Sequence, residues 1–165
     1  MFDFIDGVPM HPLFLHAPIV LVPVTALLTL AFLVPRWRWA LRWPIAVLAV
    51  LTAGATYATV QSGEDLKANL ELGGEIAAAI DVHQTWGERL LYATIVLAVL
   101  AVIAAIVVSR TAGVAATVMA VLLAISGVTA AWLTYETGDR GSRAVWCATG
   151  LAAGETESLE ECLRT

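Results

Sequence analysis

Four stretches of the chain run the length of a bilayer without a single Lys, Arg, Asp or Glu: residues 12–34, 43–60, 90–108 and 113–133. A helix that crosses the hydrocarbon core needs roughly 17–25 predominantly apolar residues, and each stretch meets that length. Transmembrane β-strands are shorter and alternate apolar with polar positions; these stretches do not alternate. Lipid offers no partner to an unpaired backbone group, so the helix is the expected form. The polar residues collect between the stretches. Two connections are short, "PRWRWALRW" after the first and a turn around Arg110 after the third, and one is long, residues 61–89. The pattern predicts two helical hairpins joined by a long central connection, in which the second half-segment runs into the third span.

That central connection reads "QSGEDLKANLELGGEIAAAIDVHQTWGER". Ser62-Gly63-Glu64-Asp65 has the form of a helix start, with acids in the first turn where the helix dipole favours them. Gly73-Gly74 breaks that segment, and a second helical stretch begins at Glu75. Ile76, Ile80, His83, Gly87 and Leu90 or Leu91 follow at three- and four-residue steps, which is one helical face continuous with the third span. His83 therefore faces inward with the isoleucines, while Glu75, Asp81 and Glu88 lie on other faces. In the second span Ala46, Ala49, Ala53, Gly54 and Ala58 recur at similar steps, and in the fourth Ala116, Ala120, Ala124, Gly127 and Ala131. Small residues so placed let helices approach closely or leave room for a flat ligand; plain packing accounts for most of them. Pro18 and Pro23 each remove a hydrogen bond from the first span and bend it.

Composition agrees with this reading. Apolar residues make up 59% and charged residues 14% of the 165-residue chain, against about 45–50% and 25% in soluble domains. Arg36, Arg38 and Arg42 lie in the first short connection and Arg110 in the second, with no acid in either. The fourteen acidic residues fall in the N-terminus, the central connection and the C-terminal tail. The rule that Lys and Arg near span ends stay in the cytoplasm places both arginine loops inside, and both termini and the central connection outside. Trp37, Trp39 and Trp43 then mark the inner boundary, and Trp86, Trp132 and Trp146 the outer one. The N-terminus carries Asp3 and Asp6 and no base, unlike a cleaved signal peptide, so the first helix is expected to be retained. Cys147 and Cys162 lie in the tail placed outside, where a disulfide is permitted. The expected organisation is a transmembrane domain over residues 1–146 and a disulfide-closed external tail over 147–165.

Candidate chemistry rests on three histidines, all near the outer ends of the first and third helices. His11 precedes Pro12, a residue suited to a helix's first turn, and is placed at the helix mouth. His16 lies five residues, about 7.5 Å, deeper. Each has a plain structural reading, as an interface cap or a satisfied histidine, because neutral imidazole is tolerated near a membrane surface. The functional reading pairs His16 with His83 as axial ligands of a b-type haem, built from facing helices of a bundle. Gly87, one turn past His83, leaves room beside a porphyrin, and Arg89, Arg140 or Arg143 can pair with propionates. A zinc or copper site on His11, His16 and His83 is the other chemical option. A cofactor-free accessory subunit of a membrane complex is the third. There is no nucleophile elbow, phosphate loop or dinucleotide fingerprint. The few bases and the net charge of −5 argue against nucleic acid, and the spans hold no acid or base for a proton relay.

"HPLFLHAP" at residues 11–18, "SGEDL" at 62–66, "DVHQTWGERL" at 81–90 and "TGDRGSRAVW" at 137–146 together resemble the domain of unknown function 2231, a family of bacterial four-helix membrane proteins. The resemblance covers roughly residues 10–146. It implies an outward-facing histidine cluster, here His11, His16 and His83. Fusion of some members to Rieske or cytochrome-like modules implies respiratory electron transfer and haem. Many members carry a histidine near the last motif, where Asp139 stands in this chain, which leaves one bis-histidine pair. The expectation is an all-α integral membrane four-helix bundle of the bacterial cytoplasmic membrane, both termini out. It serves as an electron carrier or subunit rather than a stand-alone enzyme, holding haem b through His16 and His83 and working with respiratory-chain redox proteins, as a homo-oligomer or within a complex.

Overall fold

A computed structural model describes residues 4–5, 8–70, 73–111, 113–148 and 161–162. Among the described residues a short N-terminal ladder is followed by α1 (Met10–Phe14), α2 (His16–Ala31), α3 (Pro35–Ala68), α4 (Gly74–Arg110) and α5 (Val114–Ala148). The ladder pairs β1 (Phe4–Ile5) with β2 (Val8–Pro9), Phe4 opposite Pro9 and Ile5 opposite Val8. Helices α1 and α2 together make the first span, so four helical passes are long and apolar enough to cross a membrane. The fold is the all-α four-helix membrane bundle the apolar pattern predicts.

The division of the first span has a local cause. Pro18 has no N–H to give the carbonyl of Phe14 four residues earlier. The Thr59 hydroxyl of α3 lies 3.1 Å from that carbonyl and 2.9 Å from the carbonyl of Ala55, so its one proton is shared between them. The chain breaks at Leu15 and resumes. Pro23 lies inside α2 without ending it. Of the two prolines only Pro18 accompanies a division of the span, at the edge of the histidine motif, and Leu15 between the two helices keeps right-handed helical dihedrals.

The central connection is not a separate helix start. Helix α3 runs unbroken through Ser62-Gly63-Glu64-Asp65 to Ala68; the Ser62 hydroxyl donates to the Thr59 carbonyl at 2.9 Å rather than capping an N-terminus. Gly73 precedes α4, and Gly74 takes a positive φ of 61°, the left-handed region that glycine enters without a Cβ penalty. Helices of 34, 37 and 35 residues are about 51–56 Å long. That exceeds a hydrocarbon layer of about 30 Å, so their ends project beyond it.

Helix α4 packs along α3 and α5, and α2 along the same two. This makes α2 and α4 one diagonal of the bundle, and α3 and α5 the other. Helix α1 rests on α3. The interior is built from small residues: Ala46, Ala49, Ala101, Ala104, Ala105, Ala120 and Ala130 are buried beside Leu97, Leu123, Ile45 and Phe32, while Leu27, Tyr92 and Val114 face out. Without a hydrophobic force between helices in lipid, close backbone approach is what holds them together. Gly127 shows this directly: a Cβ there would lie 2.3 Å from the Thr29 hydroxyl and 3.3 Å from the Ala26 backbone. Gly54, expected to belong to the same kind of stripe, is exposed and meets nothing within 4 Å. Thr25, Thr29, Thr52, Thr56 and Thr94 are buried, and each hydroxyl returns its proton to a carbonyl of its own helix, as membrane-helix threonines do.

The two ends of the bundle differ. At one end Arg38, buried, gives Nε to the Phe32 carbonyl and Nη2 to the Leu33 carbonyl, both at 3.1 Å, and Nη1 to the Thr117 hydroxyl at 3.1 Å. It meets the C-cap carbonyl of α2 and the next one in the turn, and ties them to α5. Arg42 reaches the Ser109 hydroxyl at 2.9 Å and lies over the Trp39 ring. At the other end lie all three histidines and Cys147, bonded to Cys162.

Candidate functional site

His11 of α1 and His83 of α4 come together across the bundle diagonal, ring centroids 6.3 Å apart and planes at 80°. Each ring is held on the second helix of its own hairpin. His11 Nδ1 lies 3.0 Å from the Thr59 carbonyl and 3.3 Å from the Ser62 hydroxyl. His83 Nδ1 lies 3.0 Å from the Thr137 carbonyl of α5. A carbonyl only accepts, so Nδ1 carries the proton in both rings, and the lone pair of each neutral imidazole is left on Nε2. Nε2 lies across each ring from its anchor: α3 anchors one ring and α5 the other, from opposite corners of the bundle.

The glycines beneath the rings are part of the same arrangement. A Cβ on Gly63 would stand 3.0 Å from His11 Cε1 and 3.1 Å from Nδ1; one on Gly141 would stand 2.7 Å from His83 Cε1 and 2.9 Å from Nδ1. Both carbonyl anchors sit four residues before their glycine. Thr59, Gly63, Thr137 and Gly141 were not singled out as site residues by the sequence. The signal that carried them was Thr-x-x-x-Gly, present at Thr59–Gly63 in α3 and twice in α5, at Thr134–Gly138 and Thr137–Gly141, of which only the second seats a histidine.

The other residues expected at the site fall as follows. His16, the first residue of α2, is exposed, and the structure does not bring it to His83. Five residues along a helix rotate a side chain well away from its starting face, so His11 and His16 cannot both turn to the bundle axis. His83, Gly87, Ile76 and Ile80 share the half-buried face, and Leu90 is buried, while Glu75 and Asp81 are exposed. Gly87 faces α3, where a Cβ would meet only Val60 Cγ2 at an ordinary 3.8 Å. Arg89 is exposed and its guanidinium carbon lies 4.8 Å from the Trp86 ring centroid; that of Arg140 lies 3.9 Å from it. Trp86 meets Trp132 edge to face at 5.7 Å. Arg140 also pairs with Glu136, and Arg143 donates to Asp139 at 2.8 Å, so the residue in the place of a further histidine is spent on an ion pair.

The donor set discriminates between metal chemistries. Among the described residues no group of three His, Cys, Asp or Glu is placed to hold an ion, whereas a closed zinc centre takes four protein ligands and a catalytic one three. Two neutral imidazoles, each with Nδ1–H on a carbonyl, are the form in which histidine binds a metal through Nε2, and the carbonyl bond raises the basicity of that nitrogen. With metal–nitrogen bonds of about 2.0 Å, a coordinated ring centroid lies roughly 3.2 Å from the ion. Two rings about one ion are then roughly 6.4 Å apart, which the observed separation matches. Two imidazoles from facing helices are the donor set that axial haem ligation takes.

The family model described as "Predicted membrane protein (DUF2231)" matches residues 7–152, and the chain belongs to that family. No curated protein and no solved structure matches it.

Proposed function

We propose that this protein is a small b-haem electron-transfer protein of the bacterial cytoplasmic membrane, with His11 and His83 as the axial pair at the outer face. The observation that carries the reading is the meeting of two imidazoles from different hairpins, both anchored through Nδ1 and separated as one ion requires. His11 takes the place beside His83 that depth alone assigns to His16. Haem, when bound, supplies a one-electron couple. The chain's residues do the rest. The Thr59 and Thr137 carbonyls fix the rings, α3 and α5 hold those carbonyls rigidly, and the alanine-lined bundle below excludes water. Arg89, exposed and lying on Trp86 within two turns of His83, supplies positive charge for propionates. The cytoplasmic arginine loops orient the chain by the positive-inside rule, which turns the histidine end outward, toward periplasmic or membrane-bound redox partners of the respiratory chain.

Absorption spectra test this on protein made with ample haem supply and purified in detergent. The expected result is a Soret band with sharp α and β bands on dithionite reduction. His11→Ala and His83→Ala each remove the low-spin signature, and His16→Ala keeps it. Stoichiometric zinc or copper without a Soret band replaces the haem by an ion between the same rings. Neither haem nor metal in the membrane-extracted protein overturns the reading in favour of a cofactor-free accessory subunit.

A further inference from the structure

The two hairpins carry the same device. In each, the first helix bears the histidine and the second bears Thr-x-x-x-Gly: His11 on Thr59 and Gly63, His83 on Thr137 and Gly141. In an α-helix the carbonyl of residue i points along the axis at the N–H of residue i+4. A side chain on residue i+4 therefore crowds any third group that approaches that carbonyl from the side. Glycine at i+4 opens the approach, and in both seats the Nδ1–Cε1 edge of the ring fills the space a Cβ would take.

We propose that Gly63 and Gly141 are positioning residues that make the Thr59 and Thr137 carbonyls into a duplicated ring seat, holding His11 and His83 as Nδ1–H tautomers in crossed planes. The neutral histidine side chain in water keeps its proton mainly on Nε2, so the seats hold the minority tautomer in both rings and leave Nε2 unprotonated. The seats lie on diagonal helices, and the ring planes they impose stand 80° apart. Crossed imidazole planes donate π density along perpendicular directions and leave two metal dπ orbitals close in energy; parallel planes split them. That spectroscopic consequence rests on the haem reading above, whereas the tautomers belong to the chain alone.

Two measurements separate the levels. The first is 15N NMR of the full-length protein labelled at histidine and made without haem supply, at a pH above the range in which imidazole protonates. Two of the three histidines are expected to show a protonated Nδ1 and a bare Nε2, with His16 showing the ordinary tautomer. Gly141→Ala shifts the balance at His83 alone and Gly63→Ala at His11 alone. The ordinary tautomer at His11 and His83 in the unaltered protein overturns the proposal, whatever the variants do. The second is electron paramagnetic resonance of the ferric, haem-loaded protein. A strongly anisotropic low-spin signal is expected, moving toward a rhombic one in Gly141→Ala. A rhombic signal from the unaltered protein, with bis-histidine optical bands intact, overturns the crossed seating and leaves the haem reading standing. Absence of haem removes that reading and leaves the tautomer result to stand or fall by itself.

Discussion

The arginine end and the histidine end of this bundle use polar side chains in opposite ways. Arg38 spends its guanidinium on three acceptors, two of them carbonyls of the turn that follows α2, and Arg42 closes on Ser109 and Trp39. Those contacts finish the fold and leave the cations no further role than to fix the turn. At the other end His11 and His83 use one nitrogen each for the fold, and among the described residues no hydrogen bond takes the other. Both ends bury polar groups near lipid; the Arg38 guanidinium is taken up by the fold, while each of the two paired histidines keeps one nitrogen in reserve. In a membrane protein that reserve is a better mark of a functional site than the presence of a titratable residue.

Arg38→Met tests this contrast most severely. It strands two carbonyls and a hydroxyl, and a loss of about 2–3 kcal/mol is expected from bonds to a charged donor. The loss is read from unfolding in mixed detergent and denaturant; the 15N tautomer pattern at the histidine end should not change. A shift in that pattern breaks the independence of the two ends. Next is Gly127→Ala, which drives a methyl against Thr29 and the α2 backbone and is expected to cost about 1–3 kcal/mol. Gly54→Ala, facing open space, gains about 0.5–1 kcal/mol from helix propensity. Similar effects from the two would mean that helix approach does not set the packing. Thr59→Val keeps the side-chain shape and removes the donor to the Phe14 carbonyl. About 1 kcal/mol of stability should go, while His11 keeps its seat, because that seat is the backbone carbonyl. The smallest effect belongs to the paired change Cys147→Ser and Cys162→Ser. It frees the tail beyond α5 and should leave the unfolding midpoint of the bundle and the histidine spectra within error.

Much of this was legible in the sequence, and the gaps have a common physical origin. Unbroken apolar runs gave the four spans, because lipid admits no other solution for them. The stripe through Ile76, Ile80 and Gly87 put His83 on the inward face, since a long regular helix fixes direction as well as height. His11 and His16 could be ranked only by depth. Which of them turns inward depends on where the first span breaks, and that break is set by Pro18 together with Thr59, a contact 45 residues away in the chain. Ser62-Gly63-Glu64-Asp65 reads as a helix start because its residues suit one; its glycine answers instead to an imidazole on another helix. Arg38 entered as a marker of sidedness, and its burial against the end of α2 needed the turn's three-dimensional path.

Each ring and its seat belong to one hairpin. During synthesis, the first hairpin can set His11 on Thr59 before the second has left the ribosome, and the second can set His83 on Thr137 without reference to the first. Neither nitrogen finds its counterpart until the hairpins dock. A ligand that bridges His11 and His83 can therefore be captured only by a chain whose two halves have both inserted and met, so loading doubles as an inspection of assembly.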